Sequence, residues 1–399
     1  MLLTGGVVRA VLGVGLVLFS GVGVAAESFD ACLDRLQALA VAEGVSVATV
    51  EAVVPSLAYR ERVIELDRAQ PEVQQSFSAY LSSRVNTRRV ALGRWVLLQN
   101  AELLEELTRR HGVPGRYLVA LWGMETDFGR YLGSMPTLDS LATLACDPRR
   151  ADFFSRELVT ALKLIDRDGL SPERMRGSWA GAMGHLQFMP TTWEAHAVDG
   201  DGSGDIDLWN STADALASAA AYLQSLGWQS GERWGREVRL PEDFDYLHTG
   251  IEQTRSVNQW RELGVMASNG NALPRSDLEA ALLVPMGRTG PAFLVYDNFR
   301  VLMEWNRSKS YALAVGYLAD RIVGAGTLVA PLPEKPLPPV ADVLRLQQRL
   351  VEQGFDPGEP DGLFGPATRR ALREFQKNQG MVADGFPDAA TIQALLQAD

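Results

Sequence analysis

The sequence predicts a mainly α protein of the α+β class: a large domain with a small β element, followed by a three-helix domain at the C-terminus. Between residues 29 and 329, apolar residues recur at spacings of three and four, which is typical of amphipathic helices. Strand-like alternation is limited there to a few short runs. A proline-rich stretch at residues 331–339 then separates the large domain from a tail with an internal repeat.

Six segments of the large domain carry the helical spacing. They span residues 28–41, 88–111, 114–124, 152–167, 212–226 and 302–328. The expected strands lie at residues 234–240, 282–284 and 292–295, with a Gly-Arg-Thr-Gly-Pro turn joining the last two. The large domain is therefore expected to be α-rich with one small sheet attached.

Length and composition place the chain among folded multi-domain proteins. Its 399 residues suffice for two or three domains, and 46% of them are apolar. This apolar fraction, together with a net charge of only −11, excludes an intrinsically disordered chain. The excess of acidic over basic side chains (49 against 38) and the absence of a basic run argue against a nucleic-acid partner.

The N-terminal residues 1–26 have the features of a secretory signal peptide. Arg9 precedes an uncharged run at residues 11–24, and Ala26 ends a small-residue cleavage pattern. A membrane anchor is the alternative, but these 14 residues are fewer than the roughly 20 that a span needs. We expect export with cleavage after Ala26 and no lipid attachment, because no cysteine stands there. The mature chain is expected to be soluble, without stable membrane insertion.

The chain has two cysteines, Cys32 and Cys146. In an oxidising compartment they could form one disulfide, and the alternative is a pair of buried free thiols. The bridge is the favoured interpretation. Two cysteines in 399 residues do not make a disulfide framework.

The proline-rich segment is expected to be a linker at residues 331–340, because five prolines in nine residues favour an extended, semi-rigid spacer. The domain after it, residues 341–399, repeats one pattern. Asp361-Gly and Asp384-Gly are each followed by Thr seven residues after the Asp and by Ala-Leu three and four residues later. Each copy predicts a turn followed by a helix with one buried face. On these features alone the tail is a small helical domain without an assigned role.

The tail nevertheless resembles the peptidoglycan-binding domain of many bacterial wall hydrolases. The resemblance covers nearly the whole tail. It rests on Leu346-Gln347, Gly354-Phe355, Asp361-Gly-Leu-Phe-Gly365, Thr368, Phe375-Gln376, Asp384-Gly385 and Thr391. A wall-binding role is what this resemblance implies.

Glu125 is the candidate catalytic residue. It ends an otherwise apolar helix and has Trp122, Met124 and Phe128 as neighbours in sequence. Partial removal from water disfavours the charged form of a carboxyl and suits a general acid working near neutral pH. The alternative is a helix-end glutamate that faces water. Asp127 is no obvious partner, because residues two apart point to different helix faces, and a distant second carboxylate stays open.

A second motif, GAMGHLQFMP, follows at residues 181–190. Its small residues permit close approach of a chain or ligand, and Gln187 offers a donor and acceptors. On these features alone it is a tight helix-packing segment. Together with Glu125-Thr-x-x-Gly, however, it resembles the lytic murein transglycosylase B family, whose fold is lysozyme-like. The resemblance extends over residues 29–328. It includes Tyr80, Arg130, Cys146-Asp147-Pro148-Arg149-Arg150, Asn306-Arg307-Ser308 and Tyr311.

The resemblance implies that Glu125 is the single acid and base. It also implies sugar-binding positions, which are Tyr80, Ser178, Gln187, Tyr222, Asn306 and Tyr311. Trp305 departs from the family, which often has Tyr there. A Trp keeps the stacking face but loses the hydroxyl and the hydrogen bond that it could make. His185, inside the second motif, is expected to be a residue of the cleft wall and not a second catalyst.

Residues 199–210 (DGDGSGDIDLWN) fit the spacing of a calcium-binding loop. The expected oxygen ligands include Asp199, Asp201, Ser203 and Asp205. Asn210 stands where a bidentate Glu is usual, and the resemblance implies that Asp214 closes the site instead. The alternative is a solvated Asp-Gly turn. We expect a structural Ca²⁺, favoured over Mg²⁺ by the numerous oxygen ligands, and no cofactor for the chemistry.

The resemblances imply an exported lytic transglycosylase of the periplasm, expected to be a monomer, whose partner is the glycan strand of peptidoglycan. Such an enzyme cleaves the β-1,4 bond from N-acetylmuramic acid to N-acetylglucosamine and leaves 1,6-anhydro ends without consuming water. One alternative is a hydrolytic muramidase, which would need a second carboxylate. The other is a catalytically inactive wall-binding protein, against which the intact Glu125 and Gln187 argue.

Overall fold

A computed structural model describes residues 27–69, 75–334 and 337–397. The expected signal peptide, residues 1–26, lies outside the described residues. The predicted mainly helical fold with small sheets is confirmed. In the described part of the chain, no helix is long and apolar enough to cross a membrane.

The large domain contains a series of helices of modest length. In chain order they are α1 Phe29–Ala42, α2 Val47–Val53, α3 Glu61–Ala69, α4 Phe77–Arg84, α5 Thr87–Gln99, α6 Ala101–His111, α7 Gly115–Thr126, α8 Thr137–Ala145, α9 Ala151–Asp168, α10 Pro190–His196, α11 Thr212–Ser225, α12 Val257–Glu262, α13 Asp297–Trp305 and α14 Lys309–Ile322.

Two predicted helices are each split in the structure. The segment 88–111 becomes α5 and α6, because Asn100 ends one helix and caps the next. The segment 302–328 becomes α13 and α14: Asn306 leaves the helical conformation and the Ser308 side chain accepts a hydrogen bond from the backbone N–H of Tyr311. Asn and Ser favour such positions because their side chains bond backbone groups at helix ends.

Two antiparallel sheets complete the large domain. The first pairs β1 (Met135–Pro136) with β2 (Arg176–Gly177). The second has the order β4-β6-β7-β3-β5 and includes the three predicted strands. Its strands are β3 Gly235–Arg239, β4 Gly250–Ser256, β5 Met266–Ala267, β6 Glu279–Leu283 and β7 Ala292–Val295.

Helix α7 lies at the centre of the main hydrophobic core. All of its residues are buried except Arg116 and Glu125, which are half-buried. It packs against α5 and α14. A helix that is apolar on all faces belongs inside a domain, so α7 holds its one carboxylate at a fixed place near the domain centre.

The disulfide between Cys32 and Cys146 is present, as favoured from the sequence. It joins α1 to the end of α8. In the segment that follows, Arg149 and Arg150 both bind the carboxylate of Asp67 on α3, and Asp67 is almost fully buried. The family motif at residues 146–150 therefore connects three helices through one covalent bond and one shared ion pair.

The C-terminal domain consists of α15 Val340–Glu352, α16 Pro366–Asn378 and α17 Ala389–Gln397. A buried glutamine supports its first turn. Gln347 Nε2 donates to Asp361 Oδ1 at 3.0 Å and to Thr368 Oγ1 at 3.1 Å. Gln347 Oε1 accepts from the N–H of Gly362 at 2.8 Å.

The second turn repeats this arrangement. Gln376 Nε2 donates to Asp384 Oδ1 at 3.3 Å and to Thr391 Oγ1 at 3.1 Å. Gln376 Oε1 accepts from the N–H of Gly385 at 2.8 Å. The repeat found in the sequence is therefore a repeat of one buried hydrogen-bond network, in which a glutamine from a preceding helix satisfies the turn.

The C-terminal domain contacts the large domain through its second turn. Asp384 Oδ2 accepts from the N–H of Arg288 at 2.9 Å, and Arg373 Nη1 donates to the carbonyl of Thr249, also at 2.9 Å. Phe386 is buried as part of the main core. A Cβ on Gly287 would lie 2.5 Å from Asp384 Oδ2, so glycine is required at this close approach.

Candidate active site

Glu125 is half-buried near the end of α7 and accepts two hydrogen bonds on one oxygen. Trp305 Nε1, at the end of α13, donates to Oε1 at 3.0 Å. The hydroxyl of Tyr311, in the first turn of α14, donates to the same oxygen. Both bonds stabilise the ionised carboxylate and fix its orientation. The break between α13 and α14 brings Trp305, at the end of one helix, and Tyr311, near the start of the next, to the same carboxylate oxygen.

Tyr311 is held as a donor by its surroundings. Burial raises the pKa of its hydroxyl well above the ordinary value, and the charge of Glu125 and the hydrogen bond to it raise the pKa further. Tyr80 on α4 adds to this rise, whereas the charge of Arg84 opposes it. Tyr80 and Arg84 therefore lie close to the Glu125–Tyr311 pair. The Arg84 guanidinium also lies 5.6 Å from the centre of the Tyr80 ring.

The backbone after Glu125 has an unusual conformation. Asp127 and Phe128 have φ values of 52° and 62°, in the left-handed region that non-glycine residues rarely adopt. Asp127 is buried and its carboxylate binds Arg88 at 2.7 Å and Arg89 at 3.3 Å. That Asp127 is no catalytic partner of Glu125 stays a prediction. Its ion pairs instead offset the cost of the backbone conformation that ends α7.

Thr126 connects α7 to the second motif. Its hydroxyl donates to the carbonyl of His185 at 2.8 Å and accepts from the N–H of Gly129 at 3.0 Å. Gln187, at φ 53°, is the third non-glycine residue with a left-handed backbone among the described residues. All three belong to the two motifs around Glu125, and such strain is concentrated at functional sites.

Ser178 and Gln187 make hydrogen bonds within their loop, and Gln187 also bonds the segment that follows α7. Ser178 Oγ accepts from the N–H of Ala182 at 3.1 Å. Gln187 Nε2 donates to the carbonyls of Gly184 at 2.9 Å and Leu132 at 3.1 Å. The structure thus gives both side chains a role in shaping the loop beside Glu125.

Tyr222, on α11, belongs to an aromatic group that includes Trp305. Its ring centre lies 5.3 Å from that of Trp305, 4.6 Å from His196 and 5.8 Å from Phe188. Asn306, the residue after Trp305, is exposed. Aromatic faces with a neighbouring amide are suited to stacking on sugar rings and bonding their hydroxyls.

His185 packs behind the site and does not contact Glu125 through any hydrogen bond described here. Its Nδ1 accepts from Trp122 Nε1 at 3.0 Å, and its ring stands edge-on to Trp122. Burial lowers the pKa of His185, with the charge of Asp207 acting in the opposite direction. The role of His185 as a residue of the cleft wall stays a prediction.

Three carboxylates of the acidic loop converge. Asp199, Asp201 and Asp214 each offer an oxygen, and these oxygens lie within 4.8 Å of one another. Asp214 is buried, although it is the residue that only the family resemblance indicated. Ser203 Oγ instead donates to Asp205 Oδ1 at 3.0 Å, so these two side chains pair with each other. The geometry fits a hard cation bound by oxygen ligands.

Sequence reasoning missed the role of Trp305. Because Trp305 lacks the hydroxyl of the tyrosine that the family often has there, a hydrogen bond was expected to be missing. Its indole N–H instead donates a hydrogen bond to Glu125. It also missed Arg84, which no motif contains. A signal for Trp305 existed, because it directly precedes the motif residue Asn306. For Arg84, only its position one helical turn after Tyr80 could have indicated the site.

Two known families match the sequence. Residues 28–320 match the Transglycosylase SLT domain, and residues 339–395 match the Putative peptidoglycan binding domain. The second match agrees with the repeated turn network of the tail.

Individual relatives agree with the first match. Membrane-bound lytic murein transglycosylase B of Escherichia coli (strain K12) is 33% identical over 225 residues, which span 56% of this chain and 61% of that protein. The structure of SltB3 from Pseudomonas aeruginosa in complex with NAG-NAM-pentapeptide has a TM-score of 0.88 and 40% identity, covering 92% of this chain and 100% of that one. Escherichia coli SLT35 in complex with calcium has a TM-score of 0.65 and 28% identity, covering 73% and 92%.

The family match includes Glu125 and the residues that surround it, and the solved relatives share the fold that positions them. The chain therefore belongs to the Transglycosylase SLT domain family and carries a C-terminal peptidoglycan-binding domain.

Proposed function

We propose that this protein is an exported lytic transglycosylase of the periplasm that cleaves the MurNAc-β-1,4-GlcNAc bond of peptidoglycan and leaves 1,6-anhydroMurNAc ends. The observation that carries the proposal is the single carboxylate of a buried helix, Glu125, held by two donors on one oxygen. Family membership and the solved relatives support the same activity. Its role would be in turnover and remodelling of the cell wall.

The two donors determine how Glu125 can act. Because Oε1 accepts from Trp305 and Tyr311, a proton on the neutral carboxyl resides on Oε2. Glu125 gives this proton to the glycosidic oxygen as the bond from that oxygen to C1 breaks. The resulting carboxylate, stabilised by the same donors, takes the proton of the C6 hydroxyl as O6 of the muramic sugar bonds to C1. Atoms balance without water.

The surrounding residues supply sugar contacts in this proposal. Tyr80 and Tyr311 lie beside Glu125, and Tyr222 provides an aromatic face next to Trp305. Asn306 is exposed beside that face. Further contacts come from the loop that carries Ser178 and Gln187, through atoms not used within the loop.

Calcium is proposed as a structural ion bound by Asp199, Asp201 and Asp214, whose carboxylate oxygens converge. Ser203 and the backbone carbonyl of Asp205 would complete the oxygen set. The calcium complex of SLT35 supports this assignment. When bound, the ion would neutralise the converging carboxylates and hold the loop before α11. No step of the chemistry uses it.

The decisive experiment combines one substitution with isotope labelling. Glu125→Gln removes the transferable proton and should abolish product formation from purified sacculi, whereas Glu105→Gln, an exposed glutamate on α6, should leave it intact. Wild-type products formed in ¹⁸O-labelled water should carry no label and should be one water lighter than hydrolytic muropeptides by mass spectrometry. Label at C1 would identify a hydrolase instead.

A further inference from the structure

The two repeated turns of the C-terminal domain differ in their exposure. The second turn, residues 384–386, is buried where the domain contacts the large domain. In the first turn, residues 361–363, the side chain of Asp361 is exposed and Leu363 is 39% exposed. The repeat therefore presents one turn to the large domain and the equivalent turn to the surroundings.

The two turns pack on their preceding helices in the same way. A Cβ on Gly385 would lie 2.9 Å from the carbonyl oxygen of Arg369 on α16, and a Cβ on Gly362 would lie 3.0 Å from the carbonyl oxygen of Val340 on α15. Arg369 and Val340 each stand seven residues before the glutamine of their own network. The Asp and the apolar residue of each turn therefore occupy equivalent positions.

The aspartates of the two turns use one carboxylate oxygen alike. Asp384 Oδ1 accepts from the N–H of Phe386 at 2.9 Å, and Asp361 Oδ1 accepts from the N–H of Leu363 at 2.8 Å. Asp384 Oδ2 accepts from the N–H of Arg288, in the large domain, at 2.9 Å. Within the described residues, Asp361 Oδ2 accepts from no other residue. The first turn thus has an exposed acceptor where the second turn binds a backbone N–H.

The residue that the second turn contacts has a left-handed backbone. Gly287 directly precedes the N–H that Asp384 accepts, and its φ is 62°. An L-Cβ on Gly287 would lie 2.5 Å from Asp384 Oδ2 and 2.7 Å from Phe386 Cβ. A D-amino acid favours positive φ, because its steric limits mirror those of an L-residue, and it carries its side chain at the other position of Cα. The contact therefore has the stereochemistry of a D-residue followed by an amide N–H.

We propose that the first turn of the C-terminal domain binds a D-amino acid residue together with the amide N–H that follows it. Asp361 Oδ2 accepts from this N–H, and Leu363 contacts the D-residue. The inference rests on the proposed function, because the peptide stems of peptidoglycan carry D-alanine in amide linkage. The match to the Putative peptidoglycan binding domain includes this turn. The tail then uses one turn to join the large domain and the other to hold the wall.

Two enantiomers test the stereochemistry on the full chain. The probes are N-acetyl-D-alanyl-D-alanine amide and N-acetyl-L-alanyl-L-alanine amide, which differ only in handedness and contain no glycosidic bond. Titration calorimetry should show that the D-enantiomer binds about tenfold more tightly. Equal affinity for the two enantiomers, or binding of neither, would overturn the proposal.

Asp361→Asn tests the acceptor. Its amide oxygen can still hold the turn, but an NH₂ group replaces the oxygen that faces the ligand, so the D-enantiomer should bind about tenfold more weakly. The matched control is Asp356→Asn, because Asp356 is also exposed and its Oδ1 also accepts a turn N–H, that of Gly358, at 3.0 Å. Affinity for the D-enantiomer should be unchanged in this control.

Leu363→Ala is a second variant, used if circular dichroism shows that Asp361→Asn fails to fold. It should also weaken binding of the D-enantiomer, because it removes the apolar contact. Unchanged binding of this probe in the folded variants would contradict the proposal.

Sacculi from which an amidase has removed the peptide stems distinguish peptide from sugar as the ligand. Asp361→Asn should weaken binding to intact sacculi more than binding to the stripped ones, and equal weakening of both would mean that the turn recognises the glycan. The reaction is tested separately, because formation of anhydro ends from peptide-free strands requires no peptide binding.

Discussion

At the scale of single residues, Glu125 and the two donors that bond its Oε1 come from three different helices. The carboxylate comes from α7, Trp305 ends α13 and Tyr311 opens α14. A neutral carboxyl and a carboxylate both accept at Oε1, so the donors need not move during the reaction. Preorganised donors of this kind lower the barrier because no reorientation is needed when charge develops.

Tyr311→Phe and Trp305→Phe should each reduce kcat while leaving the fold intact. Each variant keeps an aromatic ring and removes one donor from Glu125, so the loss concerns the carboxylate and little packing. We expect a reduction of about a hundredfold for Tyr311→Phe, whose hydroxyl is fully enclosed, and a smaller one for Trp305→Phe. Steady-state kinetics on isolated glycan strands would measure it, with the exposed Tyr131→Phe as the control. Full activity in both variants would mean that the donors do not assist Glu125.

The site illustrates what residue types can and cannot predict. Glu125 could be found from the sequence because an acidic residue in an apolar helix is unusual and belongs to a family motif. The donor role of Trp305 could not, because it depends on the angle between α13 and α14. That angle is set by the break at residues 306–308, which helical periodicity does not reveal, since apolar spacing continues across it.

At the scale of elements, the repeated turn of the C-terminal domain shows how a sequence repeat encodes a buried network. Gln347 and Gln376 are both almost fully buried, and each bonds an Asp, a Thr and a Gly N–H. The sequence predicted the turns and helices from the Asp-Gly and Ala-Leu pairs. The glutamines entered only through the family resemblance, because their distance from the turn differs between the copies.

Gln347→Leu and Gln376→Leu should destabilise the C-terminal domain by similar amounts. Each removes the side chain that satisfies a buried turn, at a cost of about 1–3 kcal/mol per unsatisfied group. Thermal unfolding of the full chain would measure both, with the exposed Gln379→Leu as the control. If only one variant were destabilised, the two networks would not be energetically equivalent.

The acidic loop before α11 should respond to Ca²⁺. An ion that binds the folded state stabilises it once its concentration exceeds the dissociation constant. Adding Ca²⁺ to chelator-treated protein should therefore raise Tm, and Asp199→Ala or Asp201→Ala should remove the increase. Asp243→Ala, an exposed aspartate outside the loop, should retain it. A Tm independent of Ca²⁺ would leave the three carboxylates without this role.

At the scale of the whole molecule, the contacts between the domains alter the expected role of the tail. The proline-rich segment predicted a semi-rigid linker between two domains, and these domain boundaries remain a prediction. The described residues 337–397 nonetheless contact the large domain. Asp384 and Arg373 bond its backbone, and Phe386 lies in its main core. Periodicity could not reveal this interface, because its polar contacts use backbone groups of the large domain, the N–H of Arg288 and the carbonyl of Thr249, and its close approach needs Gly287.

Truncation after Ala330 should separate binding from chemistry. Glu125, Trp305 and Tyr311 all precede the cut, so turnover of peptide-free glycan strands should stay near the full-length rate. Binding and digestion of insoluble sacculi should weaken, because a bound domain raises the local concentration of glycan at the cleft. Tm of the large domain should also fall, since removing Phe386 exposes its apolar contacts, a loss of about 1.5–3 kcal/mol. The full-length variant Phe386→Ala should show the same lower Tm but still bind sacculi. If the truncated protein binds sacculi as well as the full chain does, the tail is not a wall anchor.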